Sequence, residues 1–92
     1  MPQIFRVGSD IVYFWSWEGE PLEPVHVHIA EGIPQEFATK IWITKKGKCM
    51  LSHNKSKLPG HELNILMRMI ETRSLEIVSK WQERFGEISF YC

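Results

Sequence analysis

His26 and His28 stand two residues apart in Val25-His26-Val27-His28-Ile29, directly after Pro24. Three β-branched residues alternate with two imidazoles. A period of two predicts a β-strand, because successive side chains leave a strand on opposite faces. Val25, Val27 and Ile29 then cover one face, and the imidazoles stand side by side on the other, about 7 Å apart. Imidazole titrates near neutral pH, so a neutral ring can take a proton while a protonated neighbour gives one. Such a pair could cleave RNA without a metal, one ring activating a ribose hydroxyl and the other protonating the leaving oxygen. Arg6 or Arg73 and the lysines of the central segment could hold the phosphate, as cations do for developing phosphoryl charge.

Two imidazoles on one strand face can also chelate a transition metal, but a site needs at least a third protein ligand. His53, Cys49, His61 and Glu18 are available, and none is at a spacing that recommends it. The expectation is therefore no cofactor, with His26 and His28 as the metal ligands if one binds. The plainer alternative is structural, with one or both rings hydrogen-bonded to the acidic loop before them or to the sheet. His53 and His61, in a loop and near a helix start, read as surface residues.

The elements that would carry this pair follow from periodicity. Gln3 to Val7 alternates and runs into Gly8-Ser9-Asp10, then Ile11 to Trp17, a β-hairpin signature. Ile11, Tyr13, Trp15 and Trp17 share one face of the second strand, Val12, Phe14 and Ser16 the other. Both are apolar, which predicts a central, covered strand. Glu18 to Pro24 holds a glycine and two prolines and reads as an acidic loop. After the histidine strand, Ala30 to Pro34 turns and Gln35 to Thr44 resumes strand character. Lys45-Lys46-Gly47-Lys48 is a second hairpin turn, followed by a short strand at Cys49-Met50-Leu51.

Pro59 opens a helix, with Glu62 in its first turn facing unsatisfied amides. Leu63, Leu66, Met67, Ile70, Ser74, Ile77, Val78, Trp81 and Phe85 form its buried stripe, and Gly86 stops it. A straight helix over 59–85 would be about 40 Å long, against ~30 Å for a domain of this size. Thr72-Arg73-Ser74 is its weakest helix-forming spot and the expected place of a bend or break. Ile88 to Tyr91 reads as a last extended piece. The fold class expected is α+β, a small antiparallel sheet of about four to six strands packed on one long C-terminal helix.

Composition bounds the rest. Ninety-two residues make one domain, divided into a β-rich part (1–58), a helix (59–86) and an extended tail (87–92). With 43% hydrophobic and 12% aromatic residues the chain is not a disordered one. Eleven basic and eleven acidic residues give zero net charge, which argues against coating nucleic acid by bulk charge. The charge is uneven, however. Residues 1–36 hold Arg6 against six acids, while 37–58 hold Lys40, Lys45, Lys46, Lys48, Lys55 and Lys57 with no acid. That segment reads as a solvated hairpin face, or else as an anion-facing surface. Cys49 and Cys92 form no framework, and neither a leader nor a membrane span is visible, so a cytoplasmic protein is expected.

Met1 to Gly8, Val12-Tyr13-Phe14-Trp15-Ser16, His26-Val27-His28-Ile29, Ala38-Thr39-Lys40-Ile41-Trp42, Asn54-Lys55 and Trp81-Gln82-Glu83-Arg84-Phe85-Gly86 occur in this order. In this the chain resembles a small bacterial family known as a domain of unknown function, DUF4160. The resemblance covers nearly the whole chain and implies a stand-alone cytoplasmic domain of about this size. It implies a toxin-like member of a two-gene toxin–antitoxin-type pair, the product of the adjacent small gene being its partner. No established reaction comes with it. Carried over by position, it marks Arg6, His26, His28, Lys40 and Asn54. The chain departs from the family pattern at Leu22-Glu23, at Ser56-Lys57-Leu58, at Arg73, and in the tail from Ile88. The expectation drawn from all of this is a toxin-like protein acting through His26 and His28 on RNA, with Arg6, Lys40, Asn54 and Arg73 as binding residues. A protein-binding module and a metal-binding protein are the alternatives, and homo-oligomerisation is left open.

Overall fold

A computed structural model describes residues 3–92; Met1 and Pro2, with which the resemblance opens, lie outside the described residues. Five strands come first: β1 (Gln3–Val7), β2 (Asp10–Tyr13), β3 (His26–Glu31), β4 (Thr39–Ile43) and β5 (Cys49–His53). Two helices follow, α1 (Gly60–Thr72) and α2 (Ser74–Phe85). The strands form one antiparallel sheet in the order β1-β2-β3-β4-β5. Each strand neighbours the next in sequence, so short loops suffice for every connection. The fold is α+β.

The long helix of the sequence reading is two helices, parted at Arg73. The longest dimension of the molecule is 33 Å, too short for a straight helix of about 40 Å. The break keeps both halves on the sheet. Leu63, Leu66 and Ile70 of α1 and Ile77 and Trp81 of α2 pack on Val12, Val27, Ile29, Ile41 and Ile43. Gly86 ends α2 in the left-handed region, φ 76°, its amide donating to the Gln82 carbonyl at 2.8 Å.

Four strands differ in length from their sequence pattern: β4 begins only at Thr39 and β5 runs on through Ser52 to His53, and β2 and β3 differ as well. β2 stops at Tyr13, since the chain leaves the sheet at Phe14 to form the loop before β3. β3 continues to Glu31, because Ala30 and Glu31 still pair with Ile11 and Asp10. The tail from Ile88 is extended but forms no strand, although the Val25 amide donates to Ser89 and the Lys45 amide to Cys92.

Strand pairing sets the second face. Tyr13 pairs with His28, His28 with Lys40, and Lys40 with His53, so these residues make one row across four strands. His26 pairs with Trp42 in the next row. The helices cover the opposite side. Two loops partly cover this one: residues 14–25 between β2 and β3, and 32–38 between β3 and β4. From the second loop, the Gln35 carbonyl accepts from the Tyr13 hydroxyl at 3.1 Å, and the Gln35 amide donates to it at 3.2 Å.

Candidate functional site

The first loop brings Glu18 onto the histidine row. Gly19, at φ 100°, turns the chain just after it, and a Cβ there would stand 3.1 Å from the Pro21 carbonyl oxygen. Only glycine fits that conformation without strain. The Trp15 amide donates to Glu18 Oε2 at 2.6 Å, which fixes the carboxylate from within its own loop.

Glu18 then meets both imidazoles. Oε1 lies 3.0 Å from His26 Nε2, and Oε2 lies 3.2 Å from His28 Nε2. A longer approach, 3.5 Å, joins His28 Nε2 to Oε1. His26 Nδ1 is 2.8 Å from the Pro24 carbonyl. A carbonyl only accepts, so this nitrogen carries a proton. Glu18 and His26 are buried, and His28 keeps 14% of its side chain exposed. Burial alone would raise the Glu18 carboxyl, but the hydrogen bonds and charge of His26 and His28 outweigh it and hold the group down to about 2. The carboxylate is thus ionised at neutral pH and shared by two rings.

Aromatic rings enclose the cluster. The His26 ring sits edge-on to Trp42 at 5.5 Å and to His28 at 4.9 Å, and 5.2 Å from Trp81 of α2. His28 lies 5.4 Å from Tyr13 and 6.5 Å from Trp15. Tyr91 of the tail stacks on Trp42 at 4.7 Å. These surroundings make His26 a ring with both nitrogens bonded and no exposed surface, so exchange with a ligand falls to His28.

A family model described as a domain of unknown function (DUF4160) matches residues 11–82. The chain belongs to this family. The matched stretch runs from β2 into α2 and includes Glu18, His26 and His28; β1 and the tail lie outside it. No curated protein and no solved structure matches the chain.

The residues marked by the DUF4160 resemblance do not all gather at the histidines. Lys40 does: it neighbours His28 in the row, pairs with Glu23 and lies 4.4 Å over the Trp42 ring. Arg6 is two strands away, and its guanidinium donates to the Gly32 carbonyl at 3.1 Å. Asn54 is engaged in its own turn. Its Oδ1 accepts from the Leu58 amide at 3.0 Å and from Thr39 Oγ1 at 2.7 Å, while Nδ2 donates to the Leu58 carbonyl at 2.9 Å. Arg73, a binding candidate from the sequence and a departure from the family pattern, lies on the helix side, stacked over Phe5 at 4.3 Å and bonded to Glu76 at 2.9 and 3.0 Å.

Of the four candidate third ligands, Glu18 alone reaches the pair; Cys49, His53 and His61 are not part of the cluster. His61 is exposed, as its position suggests, but His53 ends β5 half-buried. Burial, and then the charges of Lys55, Lys40 and His28, push the His53 ring below its ordinary pKa. The signal for Glu18 in the sequence was weak: an acidic loop entering the histidine strand, with no fixed spacing. The arrangement fits the structural alternative, imidazoles bonded to the acidic loop, and also supplies the third ligand that a metal centre requires.

Proposed function

We propose that the protein is a toxin-like, cytoplasmic member of a two-gene pair, acting through Glu18, His26 and His28, with RNA as its target class. The observation that carries this reading is the convergence of two imidazoles on one buried carboxylate, on the sheet face opposite the one that packs on the helices. Three features support it: membership of DUF4160, the partial exposure of His28, and Lys40 next to His28 in the row. In this reading His26 holds Glu18 and His28 in place, His28 meets the ligand, and the adjacent gene product is the antitoxin-like partner.

Inducing the protein alone is expected to slow growth, and His28→Ala is expected to relieve it at equal expression. Arg73→Ala, on the helix side, is expected to leave the growth defect as it is. Normal growth at verified high expression would remove the reading.

A second reading, a module that binds a partner without catalysis, draws on Trp17, Ile33 and Phe37. These are 67%, 72% and 67% exposed, in the same two loops. A complex with the adjacent gene product that survives loss of both imidazoles would favour it.

A further inference from the structure

We propose that Glu18, His26 and His28 together hold a divalent transition-metal ion of zinc-like preference, leaving a coordination position open beside His28. This goes beyond the toxin-like reading, since it concerns what the cluster binds whatever the protein acts on, and it replaces the metal-independent chemistry expected from the two histidines alone.

Geometry is the first ground. Each of the three residues offers one ligand atom, and these atoms lie within 4.8 Å of one another. Zinc takes imidazole nitrogen and carboxylate oxygen at about 2.0–2.2 Å in a tetrahedral array, which puts neighbouring ligand atoms about 3.3 Å apart. Measured from Oε1, which reaches both rings, the carboxylate-to-imidazole separations are 3.0 Å to His26 Nε2 and 3.5 Å to His28 Nε2. An ion at the common focus therefore asks those two edges to change by only a few tenths of an ångström, while the edge between the two ring nitrogens, within 4.8 Å, closes towards the same length. It would take the place of the protons that now link Glu18 to the rings.

Orientation is the second. A metal-bound histidine almost always donates its other ring N–H to a carbonyl or carboxylate, which fixes the tautomer and aims the lone pair. His26 Nδ1 makes that bond to the Pro24 carbonyl at 2.8 Å, leaving Nε2 aimed at the focus. The Trp15 amide performs the same service for the carboxylate through Oε2. Neither bond would need to change on metal binding. The first ligand is thus steered by a proline carbonyl and the third by the backbone of its own loop.

The donor set is the third. Two imidazoles and one carboxylate form the three-ligand type of site that keeps a position for water or substrate, whereas structural zinc sites close with four protein ligands. Glu18 and His26 are sealed, and His28 has exposed surface. The open position accordingly faces the flank of His28, where Tyr13 and Lys40 are its strand neighbours.

The test uses untagged full-length protein, stripped with a chelator and then titrated with Zn²⁺ and, as a spectroscopic probe, Co²⁺. One equivalent should bind, raise the thermal unfolding midpoint, and give Co²⁺ a visible absorption band of tetrahedral type. Glu18→Gln, close to isosteric, and His28→Ala should each weaken binding by about 100-fold or more, with the fold confirmed by circular dichroism. His61→Ala should leave binding unchanged. Folded wild-type protein that takes up no stoichiometric metal would overturn the proposal and leave an ion-paired cluster only. So would stoichiometric binding that survives both Glu18→Gln and His28→Ala. Growth arrest without metal binding would sink this proposal and leave the toxin-like reading standing; metal binding without growth arrest would do the reverse.

Discussion

The two faces of β3 ask different things of whatever covers them. Val27 and Ile29 have no exposed surface and meet Leu66, Ile70 and Ile77 across a continuous apolar core. Hydrophobic burial has no direction, so a helix of roughly correct shape satisfies that face. His26 and His28 ask for partners at particular nitrogens, and buried polar groups without such partners are costly. The molecule meets the first demand with two helices and the second with one loop glutamate and the Pro24 carbonyl. A face closed by shape tolerates substitution; a face closed by direction depends on a single residue and on the turn that delivers it.

Trp81 touches both regions, and its loss should have the largest effect. It packs on Phe14 at 5.1 Å and Phe85 at 4.6 Å, and also reaches the His26 ring. Trp81→Ala is expected to cost about 3–5 kcal/mol in urea denaturation, as removal of a buried aromatic does. Trp81→Phe should cost far less. The indole Nε1 is buried without a hydrogen-bond partner among the described residues, so phenylalanine removes an unsatisfied donor along with the lost area. Equal costs for the two substitutions would mean that the indole is bonded and that directional closure extends through to the helix side.

Acid should act on the directional face before it acts on the apolar one. The Glu18 carboxyl is lowered from 4.5 to about 2 in the folded protein. A lowered acid stabilises the fold fully above its unfolded value, and that contribution drains away as pH falls from about 4.5 through about 2. The difference is worth about 3 kcal/mol at neutral pH. Urea denaturation between pH 6 and pH 2 should therefore show stability falling in that window, and Glu18→Gln should flatten the fall. A wild-type profile that Glu18→Gln leaves unchanged would show that acid acts elsewhere.

The apolar face was legible in the sequence and the polar one only in part, for the same physical reason. Val25, Val27 and Ile29 announce their face by period, and the helix stripe announces its own by three- and four-residue steps. Chain length against domain size called for a break, and the weak helix formers Thr72-Arg73-Ser74 located it. Phe14 to Trp17 alternates like a strand, yet these residues leave the sheet, because Phe14 packs on Trp81 and Trp15 on Tyr13. A single-sequence pattern records apolar character without saying whether strand pairing or side-chain packing satisfies it. The tie between Glu18 and the histidines crosses eight and ten positions of an irregular loop, where no period applies. Asn54 and Arg73, marked as binding residues, are held by local bonds whose partners, Leu58 and Glu76, lie within a turn of them.

Lys40 offers the finest test of the contrast. It lies in the histidine row, so either it holds the directional face together or it is free for a ligand. Its ammonium pairs with Glu23, itself 43% exposed, and lies over the Trp42 ring at 4.4 Å. An ion pair with a solvated partner is worth about 0.2–1 kcal/mol, and a cation over an aromatic ring at such a site about 0.5–1 kcal/mol. Lys40→Met keeps the aliphatic stem over the tryptophan and removes the charge. It should therefore lower stability by no more than about 2 kcal/mol, and the difference should shrink in high salt. A loss of several kcal/mol that salt does not alter would place Lys40 with Glu18 as a residue the face cannot close without. The small, salt-sensitive loss instead leaves its charge available to an anion brought up to His28.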